Sequence, residues 1–168
     1  MRSIIVVVAL GGVASAEPKM TAGGSATLWI PQGDVEDSAD ASVGIRPHFA
    51  YRVRPFFAIV SSFDFVFVNE EEDVDDITYW TLGAGARFIL ARPDIEPYGE
   101  IVLGYHSLDV GDFDDTNLGF RIGGGATYPL GNLVANASLG YSVVSFDAGF
   151  VDIDADAIVF ELGLGARF

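Results

Sequence analysis

The sequence predicts an all-β fold, a closed antiparallel eight-stranded transmembrane up-and-down β-barrel. Half of its 168 residues are hydrophobic, yet beyond residue 16 no apolar run approaches the roughly 20 residues of a membrane-spanning helix. The apolar residues alternate with polar or small ones, which is the period of a β-strand. The bulky apolar residues share one strand face and the polar residues share the other, as in a barrel whose outside contacts lipid.

The N-terminus has the three parts of a secretory signal peptide. Arg2 supplies a positive charge, residues 4–13 form a short apolar run, and residues 14–16 read Ala-Ser-Ala, an A-x-A cleavage site. We therefore predict a signal peptide at 1–16 and a barrel domain at 17–168. The chain contains no cysteine, so the fold must be stable without disulfides even after export.

Eight stretches of alternating character follow the signal peptide, separated by acidic breaks or by breaks that contain proline or glycine. They are 9 to 14 residues long, and a tilted membrane strand needs about 9 to 11. The predicted strands are 22–30, 41–53, 56–68, 77–90, 97–108, 116–128, 133–146 and 155–168.

The last strand shows most clearly which face points outward. Bulky apolar side chains occupy most of its alternate positions, and glycine or charged residues lie between them. Eight strands enclose an interior just wide enough for side chains, so the small and polar face must point inward and the apolar face into lipid. The outward residues are Ile158, Phe160, Leu162, Leu164, Ala166 and Phe168, and the inward ones are Glu161, Gly163, Gly165 and Arg167.

The breaks between strands alternate in length. Short periplasmic turns and longer external loops are typical of outer-membrane barrels, and this pattern places both chain termini on the periplasmic side. The short breaks are 54–55, 92–96 and 129–132, and the longer, acidic ones are 31–40, 69–76, 109–115 and 147–154.

Three segments carry a resemblance to a known family. The final strand ends in the aromatic Phe168, residues 97–105 read PYGEIVLGY, and LGAGARF at 82–88 nearly repeats LGLGARF at 162–168. Over essentially all of 17–168 the chain resembles the small outer-membrane barrels of the opacity-protein and OmpA-type group. The resemblance implies a bacterial outer-membrane location, contact with membrane lipid and lipopolysaccharide, and recognition of Phe168 by the barrel-assembly machinery.

Eight charged residues fall on predicted inward positions. Unpaired charges would be costly in a narrow interior, so we expect ion pairs. A symmetric turn at 91–96 would place Arg87 opposite Glu100. If the connections after the sixth and seventh strands are symmetric as well, Arg121, Gly140 and Glu161 lie side by side on three neighbouring strands. We favour a plug of salt bridges over a polar ion path, because only much larger barrels leave an aqueous channel. The eight residues are Arg46, Arg52, Asp64, Arg87, Glu100, Arg121, Glu161 and Arg167.

The four longer breaks, counted to residue 156, contain 18 of the 24 acidic residues and no lysine or arginine. The sequence thus predicts acidic extracellular loops, which favour divalent cations or another extracellular ligand as candidate partners. Ca²⁺ takes roughly six to eight oxygen ligands, but the glycine and distal glutamate of an EF-hand are not in register here. We favour a solvated, self-repelling surface. The candidate cation ligands are Asp112, Asp114, Asp152, Asp154 and Asp156.

Large aromatic residues cluster toward the predicted strand ends, on positions that we interpret as outward. They could form a ligand-stacking platform, but an aromatic girdle at the lipid interface explains them better. These residues are Trp29, Phe67, Trp80, Phe88, Tyr128, Phe146 and Phe168.

Composition and spacing argue against several classes of function. The net charge of −15 argues against nucleic-acid binding. His48 and His106 are more than one strand apart and cannot supply the three or four ligands of a zinc site. Ser107 follows His106 directly, so it should face the other side of the strand, which disfavours a Ser-His-acid hydrolase. We therefore expect no enzymatic activity and no cofactor.

The function that the sequence favours is a structural or surface-interaction role, with a plugged interior and acidic extracellular loops. A narrow porin-like channel for small solutes or ions is the first alternative. A lipid-modifying outer-membrane enzyme and a soluble ligand-binding barrel are further alternatives, and both are less well supported by the residues.

Overall fold

A computed structural model describes residues 19–33, 40–67, 77–90, 94–110, 113–147 and 152–168. The predicted signal peptide at 1–16 lies outside this part of the chain. Within it, no helix is long and apolar enough to cross a membrane.

The described chain is built of nine β-strands. The predicted fold class is confirmed, and every predicted strand boundary lies within three residues of the observed one. The strands are β1 (Met20–Gly33), β2 (Ser42–Arg54), β3 (Phe57–Phe67), β4 (Ile77–Ile89), β5 (Glu96–Val110), β6 (Phe113–Leu130), β7 (Leu133–Val143), β8 (Ser145–Asp147) and β9 (Asp152–Arg167).

Each strand of the wall pairs antiparallel with the next, and β1 pairs with β9 to close the barrel. The wall consists of eight strands, β1 to β7 and β9. Following the paired residues once around it from Thr21 leads back to β1 at Pro31, ten residues further along. Such a stagger requires strands tilted by about 40° to the barrel axis.

Strand β8 continues β7 after a break at Val144. Its pairing with β9 keeps the register that β7 has with β9, and the amide of Ala155 donates to the carbonyl of Val144 at 2.9 Å. The predicted strand 133–146 therefore corresponds to β7 and β8 together. The pairing of β7 with β6 ends at the upper side with Val143 opposite Phe120.

The two ends of the barrel differ. The lower end holds both termini of the described chain and the tight turns at 55–56 and 131–132, where Gly131 has a φ of +70°. Only glycine adopts such a φ without strain, so the two-residue turn can join β6 to β7 directly. The opposite, upper end holds Gly33, Phe67, Val110 and Asp147, the last described residues before the breaks in which the sequence concentrates its acidic residues.

The outer surface is apolar along its middle. Large apolar side chains are exposed on every strand of the wall, among them Leu103 at 68% and Leu164 at 66%. The polar or small residues between them face inward and are mostly buried. The predicted outward face of the last strand is confirmed. An exposed apolar band of this extent is far larger than a soluble monomer carries, and it matches the lipid-facing band of a membrane barrel.

Inward-facing glycines allow the narrow wall to close. A methyl group at Gly85 would overlap the backbone carbonyl of Ile101 on β5, whereas one at Gly24 on the outer face would meet no atom within 4 Å. We expect Gly85→Ala to lower the free energy of unfolding by about 1–3 kcal/mol, because backbone atoms cannot move aside. Urea unfolding in phospholipid vesicles measures this change in the free energy of unfolding. Gly24→Ala is the matched control, and an equal effect of both substitutions would contradict this explanation.

Candidate functional site in the barrel interior

Six of the predicted inward charges form one layer across the middle of the barrel, which we call the central charge layer. Three are arginines and three are carboxylates, so the layer is neutral. They come from six different strands and are mostly buried. The layer consists of Arg46, Asp64, Arg87, Glu100, Arg121 and Glu161.

Glu161 is held from three sides. Its Oε1 accepts hydrogen bonds from Arg46 and from Nη1 of Arg121, the latter at 2.6 Å. Its Oε2 accepts a hydrogen bond from the hydroxyl of Ser138 at 2.9 Å. Both arginine side chains extend past a neighbouring strand to contact β9. Strand β1 lies between β2 and β9, and β7 lies between β6 and β9. Glu161 therefore joins opposite parts of the wall.

Glu100 is the second acceptor of the layer. Arg87 donates to its Oε2 through Nε at 2.9 Å and through Nη2 at 2.7 Å, and Nη2 of Arg121 donates to Oε1 at 3.2 Å. The Arg87 guanidinium also lies 4.0 Å from the ring centre of Tyr98, within cation–π range. Hydrogen bonds between charged groups are stronger than neutral ones, and these fix the orientation of Arg87.

Asp64 completes the layer from β3. Its Oδ1 lies 3.4 Å from Nε of Arg46 and 3.8 Å from Nη1 of Arg121. The hydroxyl of Ser62 accepts a hydrogen bond from Nη2 of Arg46 at 3.0 Å and donates to Oδ2 of Asp64 at 3.3 Å. Each arginine of the layer therefore has at least one carboxylate partner.

The structure confirms the predicted pairing of Arg87 with Glu100 but not the predicted alignment of Arg121, Gly140 and Glu161. Arg87 and Glu100 are directly opposed in the register of β4 and β5. The predicted row of Arg121, Gly140 and Glu161 is wrong, because Arg121 pairs with Ser142 and Glu161 pairs with Ser138. Arg121 still reaches Glu161 diagonally, and its side chain passes over Gly140, where a methyl group would lie 3.3 Å from it.

A second ion-pair group lies near the lower end. Arg52 donates to Oε2 of Glu96 at 2.9 Å, and Arg167 donates to the same oxygen. The predicted break 92–96 includes Glu96, whereas the structure places this residue at the start of β5 with its side chain in the interior. Because Glu96, Tyr98 and Glu100 alternate along β5, the parity of that strand could have revealed it.

The interior above the central charge layer is apolar and aromatic. Trp29, Tyr79 and Phe146 belong to one buried cluster, in which Phe146 has no exposed surface and the rings of Trp29 and Tyr79 lie 5.7 Å apart. The interpretation of Trp29 and Phe146 as outward girdle residues is therefore wrong. Both occupy inward positions of their strands. Phe67, Phe88, Tyr128 and Phe168 are exposed on the outside.

The two histidines lie on different strands of the interior and face different cavities. Nδ1 of His106 lies 2.5 Å from the hydroxyl of Tyr79 and 2.9 Å from that of Thr81. Ser107 pairs with Trp80 and Thr116, on the opposite parity of β5. His106 is thus part of a buried hydrogen-bond network with Tyr79 and Thr81, and Ser107 faces the other side of the strand.

Two small cavities flank the central charge layer. The upper cavity measures about 30 Å³ and is lined by Thr27, Trp29, Tyr79 and His106 above the layer. The lower cavity measures about 40 Å³ and is lined by His48, Arg52, Glu96 and Arg167. Each has room for a few water molecules.

Two of the candidate cation ligands, Asp154 and Asp156, have described side chains, and both lie at the upper end. Asp156 accepts a hydrogen bond from the hydroxyl of Tyr141 at 2.9 Å, and Asp154 is exposed. The side chains of Asp112, Asp114 and Asp152 lie outside the described part. Among the described residues, no group of three or more acidic or histidine side chains is placed to hold a metal ion.

The closed eight-stranded barrel with an apolar outer band is a fold that solved structures of bacterial surface and outer-membrane proteins share. Neisserial surface protein A superposes with a TM-score of 0.69 at 16% identity, over 89% of this chain and 97% of that one. OprG from Pseudomonas aeruginosa gives 0.65 at 17%, over 91% and 96%. Ail of Yersinia pestis gives 0.61 at 19%, over 90% and 99%.

These likenesses show a shared fold. No protein-family model and no curated protein sequence matches the chain.

Proposed function

We propose that this protein is a closed barrel of the bacterial outer membrane with a structural or surface-interaction role. The observation that carries the proposal is the neutral central charge layer, whose six charged side chains come from six strands and neutralise one another. Charges paired in this way fill the interior and rigidify the wall. A barrel with a filled interior interacts with its surroundings through its surface, and here through its upper end.

Burial supports a closed interior. Arg46, Glu100 and Glu161 each expose 6% or less of their surface. The cavities on either side of the layer are water-sized, and eight strands enclose a space that side chains can fill. A narrow channel would need the ion pairs of the layer to part, which leaves buried charges uncompensated.

The upper end supports a surface-interaction role. Asp40, Asp109 and Asp154 are exposed there, and the sequence concentrates most acidic residues in the adjoining connections. An acidic surface favours cationic partners and repels polyanions. Ail of Yersinia pestis, by contrast, has been crystallised with the heparin analogue sucrose octasulfate. We expect no such binding here.

At the upper end, the pairing of β6 with β7 stops at Phe120 and Val143. Above Phe120, the amides of Thr116 and Leu118 donate to the side chains of Asp115 and Asn117 at 2.8 Å instead of to a neighbouring strand. Asn117 also donates to the carbonyl of Ser145 at 2.7 Å. Side-chain bonds of this kind protect a strand edge from unspecific pairing, and the exposed Leu118 beside them offers apolar contact.

A deletion strain tests the proposed function. We expect loss of the protein to change surface adhesion to cationic surfaces or envelope resistance to detergent, and the wild-type gene to restore it. A variant with Asp40, Asp109 and Asp154 changed to asparagine should fail to restore adhesion. Asp94→Asn, an exposed acid near the lower end, is the matched control. Unchanged adhesion, permeability and detergent resistance after deletion would refute the proposal.

A further inference from the structure

Positive charge exceeds negative charge at the lower cavity. Arg52 and Arg167 share a single oxygen atom there, Oε2 of Glu96. Among the described residues, no second carboxylate lies within ion-pair distance of either arginine. Arg87 also lines this cavity, but Glu100 balances its charge in the central charge layer. The side chains of the sharing group expose only 11% to 22% of their surface, and an unbalanced charge is costly to bury.

The cations lie together on one side of the lower cavity. Lys19 directly precedes β1, and its carbonyl accepts a hydrogen bond from the amide of Arg52 on β2 at 2.7 Å. Arg167 lies on β9, the other neighbour of β1, whereas Glu96 reaches the two arginines from β5 on the opposite side of the wall. All four residues line the cavity. Lys19 is exposed at the lower end, so the cavity is accessible from that end.

The chemistry of this lining selects an oxyanion of the phosphate class. Each arginine carries five N–H donors, and the hydrogen bonds to Glu96 use one donor of each. Lys19, Arg52 and Arg167 against Glu96 leave two positive charges. A phosphate group carries about two negative charges and balances them, whereas a single carboxylate does not. The cavity of about 40 Å³ has space for a group of a few heavy atoms.

We propose that the lower cavity binds one phosphate group, held by Arg52 and Arg167 with Lys19 at the entrance. The group is that of a free phosphate or phosphomonoester, or that of a phospholipid headgroup at the same end of the barrel. Binding neutralises the surplus charge and leaves the ion pairs of the central charge layer intact. Neither the fold nor the proposed surface role requires such a site, so each can be tested without the other.

Isothermal titration calorimetry with sodium phosphate tests the site. The full barrel is kept in dodecyl maltoside, a detergent without phosphate, at neutral pH and constant ionic strength. We expect saturable binding of one phosphate per barrel. Arg167→Gln should weaken this binding by about tenfold or more, because it removes a charged donor. Glu96→Gln should instead strengthen it, because it removes the carboxylate that competes for both arginines.

Arg54→Gln is the matched control. Arg54 is an exposed arginine near the same end that does not line the cavity, so the same change in net charge should alter phosphate affinity by less than about twofold. Repeating the titration in nanodiscs of a phosphodiester lipid distinguishes the two sources. Unchanged affinity there assigns the site to a soluble phosphate, and loss of affinity assigns it to the lipid headgroup. An absence of saturable binding in detergent, or equal affinities of the Arg54→Gln and Arg167→Gln variants, would overturn the proposal.

Discussion

Replacing Glu161 with glutamine is expected to lower the free energy of unfolding by about 3–5 kcal/mol. Glutamine keeps the shape and the hydrogen bond from Ser138, but it removes the negative charge that Arg46 and Arg121 share. Both guanidiniums are buried, so their remaining charge cannot be solvated. Urea unfolding in phospholipid vesicles, followed by gel mobility of the folded barrel, measures the change.

Two comparisons separate this effect from a general loss of stability. Asp109→Asn removes an exposed charge and should cost less than about 0.5 kcal/mol. Adding Arg121→Gln to Glu161→Gln should cost less than the sum of the single substitutions, by about 0.5–3 kcal/mol, since the two residues are in contact. Strict additivity would show that the layer does not act as a unit.

Leu103→Arg is expected to lower the free energy of unfolding by about 2–4 kcal/mol. Leu103 lies on the outer face of β5 at mid-height and is 68% exposed, between Ala84 and Phe120 on the neighbouring strands. In lipid the arginine must be dehydrated or must distort the bilayer around it. On a soluble barrel the same change at such an exposed position would be nearly neutral or would improve solubility. The same unfolding experiment measures it.

Leu118→Arg is the matched control for depth in the membrane. Leu118 is also an exposed leucine, at 74%, but lies beyond Phe120 toward the upper end of β6. The cost of a charge falls to about 0–1 kcal/mol near the membrane interface, so Leu118→Arg should hardly change the free energy of unfolding. Equal effects at the two positions would argue against a lipid-facing band.

The fold was predictable because it depends on a local pattern. Alternation along each strand distinguishes the two faces, and the position of Phe168 assigned inward and outward sides for the whole of β9. The charges that the alternation placed inward lie together in the structure. Arg87 and Glu100 needed only a symmetric turn between adjacent strands to be paired.

What escaped prediction depends on register and on strand ends. A two-residue turn at 131–132 shifts the pairing of β6 with β7, so Arg121 meets Ser142 rather than Gly140. Glu96 and Phe146 lie at strand ends, where a boundary error of a residue or two hides the parity. Trp29 was interpreted from its size and place near a strand end. A large aromatic inside the barrel is favoured here because it packs on Tyr79 above the charge layer.

Planar-bilayer recording tests the closed interior, and with it the central claim, most directly. The purified protein is inserted into a lipid bilayer of known capacitance, and insertion is verified by protease protection, with a large porin as the positive control for conductance. We expect the current to stay at baseline over the voltages that the bilayer tolerates, because the ion pairs of Arg46, Arg121 and Glu161 fill the middle of the barrel. Large, stable, ion-selective openings would contradict the account.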